Sequence, residues 1–157
     1  MKTKHIFDSL DYQIIQEMIN NAEISYADLG KRLFVSGGTI HVRIKKLEEI
    51  GVVKGKKMFV DFKALGYDVI AFVGIFLEKS SMYDIVAEEL QKIKQIVRLN
   101  YTTGNYSMFL EIVCKDIDQL RSVLHDKLQK IKGIERTETF ISLEENFNRN
   151  ITLIDVK

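Results

Sequence analysis

Cysteine occurs once in 157 residues, as Cys114 in the apolar run "YSMFLEIVCK". A single thiol excludes a disulfide framework, and its apolar surroundings predict a buried, reduced side chain of the kind that fits a cytoplasm. No apolar run approaches the roughly 20 residues that cross a bilayer, so no membrane partner is expected. The opening "MKTKHIFDSLDYQII" lacks an apolar core followed by a small-residue cleavage site, which argues against secretion. The three histidines, His5, His41 and His125, have no metal-ligand spacing with cysteine or carboxylates. No Gly-x-Ser-x-Gly elbow occurs, and "GVVKGKK" is one residue short of a phosphate-binding loop and lacks its Ser/Thr. Neither a metal, a cofactor nor an enzymatic centre is expected.

What is present is enough apolar residue, 46%, to build a core in a soluble globular chain, as one domain or two small ones. The formal charge of +1 hides an asymmetry. Residues 1–63 hold eleven Lys/Arg against eight Asp/Glu, and residues 64–157 hold twelve against fourteen. Within the first part, Lys31 to Lys57 carries eight basic residues and two acidic ones. Such a division implies that one part meets a polyanion and the other does something else.

Three helices are predicted in the first fifty residues. Asp8 caps the first, with Asp11 as the reciprocal partner and Leu10, Ile14 and Met18 on one face, widened by Ile15 and Ile19. Ser25 and Asp28 form a second capping box, opening a helix from Tyr26 to Leu33. Ser36 caps a third that runs to Ile50, with Gly51 as its left-handed exit. "VVKGKKMFVDF" then reads as two short strands around Lys54-Gly55, a hairpin or an extended linker.

From Asp68 the pattern changes to β-α-β-β-α-β, the split βαβ or ferredoxin-like order. The strands are "DVIAFVGIFLE", "IVRLNYTT", "YSMFLEIVCK" and "IERTETFISLEE". The helices are "SMYDIVAEELQKIK", with Ser81 and Asp84 as its capping box, and "DIDQLRSVLHDKLQKIKG". The second buries Leu120, Leu124, Leu128 and Ile131 and stops at Gly133. The fold class is therefore α+β, with three segments: a helix-turn-helix domain over 1–53, a hairpin or linker over 54–67, and a ferredoxin-like domain over 68–157. Both alternating sets of the first strand are apolar, Val69/Ala71/Val73/Ile75/Leu77 and Ile70/Phe72/Phe76. Helices cover only one face of such a sheet, so the other is expected to be an interface between copies of the chain, or to be covered by the chain's own termini.

In the third helix, Ile40, Ile44 and Leu47 fall on one seam at about 100° per residue. Gly38, His41, Val42, Lys45 and Lys46 project to the far side, with Thr39 beside them and Arg43 on the flank. Val42 between lysines suits thymine methyl groups, the lysines suit phosphates, and Ser36 with the Gly37-Gly38 amides suits an anion. Gly30, in mid-helix at a penalty of about 1 kcal/mol relative to alanine, supplies the small residue that two steeply crossing helices need. Together these describe a helix-turn-helix whose second helix enters the major groove of double-stranded DNA.

With the blocks "GTIHVRIKKL", "LGYDV", "YTTGNYSMF" and "TETFISL", the chain resembles the Lrp/AsnC family of bacterial and archaeal transcription regulators along almost its full length, and most of all its AsnC-like branch. The resemblance implies a winged-type helix-turn-helix domain that binds DNA. It also implies a C-terminal ligand-binding (RAM) domain that assembles homodimers, often into octamers, and senses a small molecule, usually an amino acid. Ser36, Thr39 and Arg43 then belong to the recognition helix. Many relatives carry glycine where this chain has Phe34 in the turn.

The resemblance also places an effector pocket between dimers, around the turn joining the second and third strands. Its implied residues are Tyr101, Thr103, Gly104, Asn105, Tyr106 and Ser107, with Thr137, Glu138 and Thr139 of the last strand. Many relatives are acidic where Ser107 stands, which leaves Glu138 to meet an ammonium group; the serine also fits the AsnC-like branch, and that resemblance makes asparagine the first effector implied. Two other readings use the same residues: a DNA-architectural protein without an effector, and a metabolite-binding regulatory subunit.

Overall fold

A computed structural model describes residues 6–153. His5 lies outside the described residues. The chain forms two compact units, one from the N-terminal residues through Phe59 together with the segment from Phe147 onward, the other from Val60 to Asn146.

The first unit holds α1 (Ser9–Asn20), α2 (Tyr26–Arg32) and α3 (Gly37–Glu49). Each starts at its expected cap. Asp8 accepts from the Asp11 amide while the Asp11 side chain accepts from the Asp8 amide, a complete capping box. Ser25 accepts from the Asp28 amide, but its hydroxyl also donates to the Asp28 carboxylate, so the return arm is side chain to side chain. Ser36 accepts from the Thr39 amide at 3.0 Å. Ile14, Leu29, Ile40 and Ile44 are buried together, ringed by Leu10, Met18, Ile24, Tyr26, Leu33 and Val35.

After α3 the amides of Val52 and Val53 both bond the Leu47 carbonyl, and Gly51 adopts φ +77°. No hairpin follows: residues 53–61 form neither helix nor strand, with Met58 and Phe59 exposed. Of the two sequence expectations, the linker is the one found.

The second unit is a four-stranded antiparallel sheet of β1 (Val69–Leu77), β2 (Ile96–Tyr101), β3 (Met108–Cys114) and β4 (Ile134–Ile141) in the order β2-β3-β1-β4. This is the ferredoxin-like order, with the first strand central. α4 (Tyr83–Gln91) and α5 (Ile117–Ser122) belong to one face, where Val86, Leu90 and Leu120 join Ala71, Val73, Ile75, Met108, Leu110 and Ile112 in the core. Cys114 is buried there, paired in register with Val69.

Two expectations need correction. The Ser81–Asp84 capping box is absent: a 3-10 turn over Ser80–Met82, closed by the Met82 amide on Lys79, leads into α4 with no side-chain cap. The last helix is not regular, because α5 widens into a π turn over Val123–Lys127 and ends in a 3-10 turn over Leu128–Lys130. The wider turn shifts the buried stripe, so Val123 is buried and Leu124 only partly so. The ladder ends where the Ser142 amide bonds Ile70, and beyond Asn146 the chain belongs to the first unit, where the Leu153 amide donates to Gln16 Oε1 at 2.7 Å.

Candidate nucleic-acid interface and effector site

α3 buries Ile40, Ile44 and Leu47 and leaves Gly38, Thr39, His41, Val42, Lys45 and Lys46 exposed, the division its periodicity predicts. Val42 is 66% exposed on the same outward row as Lys45 and Lys46. His41 stacks on the Tyr26 ring of α2, with centroids 5.7 Å apart. Ser36 holds the first turn, bonding both the amide and, at 2.9 Å, the hydroxyl of Thr39.

Gly30 performs the expected steric role. A Cβ there would lie 2.7 Å from the Val35 carbonyl oxygen and 3.0 Å from the Gly37 amide nitrogen. The start of α3 thus rests directly on the backbone of α2, and position 30 has no room for a side chain. Phe34 occupies that turn at φ +57°, 95% exposed, in a conformation that bulky side chains avoid.

Arg43, on the flank of that outward row, has partners within the chain. Its Nη1 donates to both Asp8 oxygens at 2.7 Å and to Asp11 Oδ1 at 2.8 Å. Asp11 is almost wholly buried, and the guanidinium hydrogen bond holds the Asp8 carboxyl below the usual carboxylate range. The signal that could have found this lies in α1, where two aspartates three residues apart present paired carboxylates at one helix end.

In the second unit the β2–β3 turn is closed by the Thr102 amide on Ser107 and by the Thr102 hydroxyl on the Tyr106 carbonyl at 2.7 Å. Gly104 sits at its tip with φ +103° and open space where a Cβ would stand. Thr103, Gly104 and Asn105 are exposed, and the Ser107 amide bonds the Ile75 carbonyl, fixing the turn to β1.

The remaining implied effector residues divide between the two faces of the sheet. Tyr101 packs against Tyr83 on the helix side, with centroids 4.5 Å apart. Thr137 and Thr139 pair with Ile75 and Val73 and share that side. Glu138, between them, points to the open face, as strand alternation requires. There it accepts from the Tyr106 hydroxyl at 2.7 Å and from Arg136 at 2.6 Å. Thr137 and Thr139 therefore share no face with Glu138 within one chain, and the carboxylate already has two donors. Tyr106 holds it below its usual range, and Glu138 in turn pushes the phenol up.

Sequence reasoning missed Gly74. A Cβ on it would lie 2.4 Å from the Tyr106 ring, which crosses β1 at this one bare position to reach β4. A glycine interrupting the apolar set Ile70/Phe72/Phe76 was the available signal. Around it the open face is aromatic: Phe76 and Phe109 contact Tyr106, Phe72 stacks on Phe109, and Arg136 lies 3.5 Å above the Phe76 ring.

A closely packed helix pair with a basic outer helix, joined in one chain to a ferredoxin-like sheet, defines a class of DNA-binding regulators that carry their own ligand-binding domain. The family pattern for winged helix-turn-helix DNA-binding matches residues 7–54, and that for the Lrp/AsnC ligand binding domain matches residues 70–151. The chain belongs to the Lrp/AsnC family. It is 42% identical to the regulatory protein AsnC of Haemophilus influenzae, over 94% of this chain and 98% of that one. It is 40% identical to regulatory protein AsnC of Escherichia coli K12, over 94% and 97%. The solved structure of E. coli AsnC superposes with a TM-score of 0.90 at 38% identity, covering 95% of this chain and all of that one, 100%. A Neisseria meningitidis transcriptional regulator solved with L-Met has the same fold, with a TM-score of 0.87 at 19% identity and coverage of 95% and 97%. This chain is a sequence-specific DNA-binding transcriptional regulator and not an enzyme. Among the described residues no helix is long and apolar enough to cross a membrane.

Proposed function

We propose that the protein is a cytoplasmic regulator that binds double-stranded DNA through α3 and changes its assembly on binding an amino acid, asparagine first. The observation that carries the DNA reading is the exposed row Gly38, Thr39, His41, Val42, Lys45 and Lys46 on a helix whose opposite seam is fully buried. Ser36 at its start adds an N-terminal anion site. Lys45 and Lys46 contact phosphates, and Val42 meets a thymine methyl.

The effector is held at the β2–β3 turn, where the open surroundings of Gly104 leave room for a ligand and Thr103, Asn105 and Ser107 offer polar groups. Tyr101, Thr137 and Thr139 line the approach from one side of the sheet, and Tyr106 with Glu138 from the other. A copy of the chain completes the pocket, which agrees with the turn's exposure. The aromatic open face of the sheet supports a homodimer, and dimers join into an octamer around the effector turns. Effector binding favours one assembly by binding it more tightly, and the assembly sets the spacing of the DNA-binding units and so the operators they fit.

The test is size-exclusion chromatography with light scattering across a panel of amino acids, paired with operator binding. Asparagine is expected to shift both. An effector that moves neither oligomer size nor operator affinity rules the coupling out. Lys46→Ala should lower the salt slope of DNA binding by about one unit, while Val42→Ala should alter base preference.

A further inference from the structure

We propose that Arg43 is a positioning residue for DNA recognition, fixing the roll of the recognition helix by gripping both carboxylates of the α1 capping box. The inference rests on α3 being the groove-facing helix, and it assigns Arg43 a task other than touching DNA.

Ile14 of α1 shares one buried apolar cluster with Ile40 and Ile44 of α3. Such contact resists separation but is non-directional, so by itself it leaves a helix free to roll by some degrees. The Arg43 contact is of another kind. One guanidinium nitrogen reaches three carboxylate oxygens at 2.7–2.8 Å, two of Asp8 and one of Asp11, with one of its two hydrogens shared between acceptors. Both acceptors are themselves held, because each carboxylate caps the amide of the other at the first turn of α1. Asp11 is 4% exposed, so its position is set by packing as well. The Arg43 side chain is 30% exposed, half sunk along the helix flank and one residue from both Val42 and Ile44. Its grip therefore fixes the angular setting of the row that begins at Gly38.

Base-edge contacts depend on sub-ångström placement, whereas lysines on long stems follow a phosphate through small helix rotations. Loosening the clamp should consequently reduce discrimination between sequences more than it reduces general affinity. The clamp has a second effect. Asp8 and Asp11 lie close to a surface that meets a polyanion, and the guanidinium cancels part of their negative field.

The experiment uses the full chain, the duplex it selects from a random library, and a scrambled duplex of equal length. Asp8→Asn keeps an N-cap side chain while removing the charge that Arg43 grips. It should narrow the ratio of affinities for the two duplexes about tenfold, well below the unfolding temperature, with the salt slope on scrambled DNA unchanged. Arg43→Gln should narrow the ratio similarly and also leave that slope unchanged. The proposal is overturned if Asp8→Asn leaves the ratio intact. It is equally overturned if Asp8→Asn tightens binding while Arg43→Gln lowers the slope by about one, the pattern of a phosphate contact released from an internal partner. Should Arg43→Gln fail to fold, Asp8→Asn decides alone. Lys45→Ala and Lys46→Ala test α3 itself: unchanged slopes in both would reject the groove-facing helix, separately from the clamp.

Discussion

The Tyr106 hydroxyl donates to Glu138 at 2.7 Å by laying its ring across Gly74, so a residue entering β3 is bonded to β4 over the strand between them. Gly74→Ala would place a methyl 2.4 Å from that ring, a distance that forces the aromatic group to move. The variant should lose about 1–3 kcal/mol of stability. Urea unfolding and the near-ultraviolet circular dichroism of the tyrosines would measure it, and β1 should remain otherwise paired.

The same bond has a pH signature at both ends. Glu138 titrates below its ordinary 4.5, so its contribution is complete above that value and is lost as pH falls through the lowered folded pKa. Tyr106 titrates above its ordinary 10.0, so its contribution is complete below that value and is lost as pH rises through the raised one. Glu138→Gln should return the Tyr106 titration toward its usual range. An ultraviolet absorbance titration of the phenols in both proteins checks this, and identical curves would contradict the bond.

Gly30→Ala sets two effects in opposition. Alanine is the better helix former by about 1 kcal/mol. Its Cβ, however, would lie 2.7 Å from the Val35 carbonyl oxygen, a backbone atom at a tight turn. Steric displacement is expected to win, giving a net loss of about 1–2 kcal/mol and weaker operator binding through a displaced α3. Thermal unfolding and a DNA titration report the two losses separately.

Phe34→Gly should act in the opposite direction. A left-handed conformation penalises a bulky residue by about 1–2 kcal/mol, part of which glycine returns through the greater freedom of its unfolded chain. With Phe34 95% exposed at φ +57°, little packing is lost. A net gain of about 0.5–1 kcal/mol in urea unfolding is expected.

The features legible in the sequence were those set by local chemistry. Asp8, Ser25 and Ser36 start their helices because an oxygen acceptor there satisfies amides that the helix leaves open. The seam Ile40/Ile44/Leu47 and the alternation of β1 followed from period alone. Gly30 was readable because a glycine in mid-helix demands a contact. What escaped depended on partners distant in sequence. Arg43 found carboxylates 32 and 35 residues away, a partnership that no local pattern encodes. Glu138 was grouped with its neighbours Thr137 and Thr139 although a strand sends it to the opposite face. Ser81 and Asp84 had the spacing of a cap, but a 3-10 turn occupied the approach to α4. The π turn at Val123–Lys127 leaves no local signature at all, since it reflects how one helix fits the sheet beneath it.

Cys114, sealed beneath the helices and held in its protonated form chiefly by burial, cannot meet an alkylating reagent while the sheet is closed. The native chain therefore carries a single silent clock. The rate at which its one sulfur becomes labelled counts the openings of the ferredoxin-like unit alone, without interference from the helices that hold DNA.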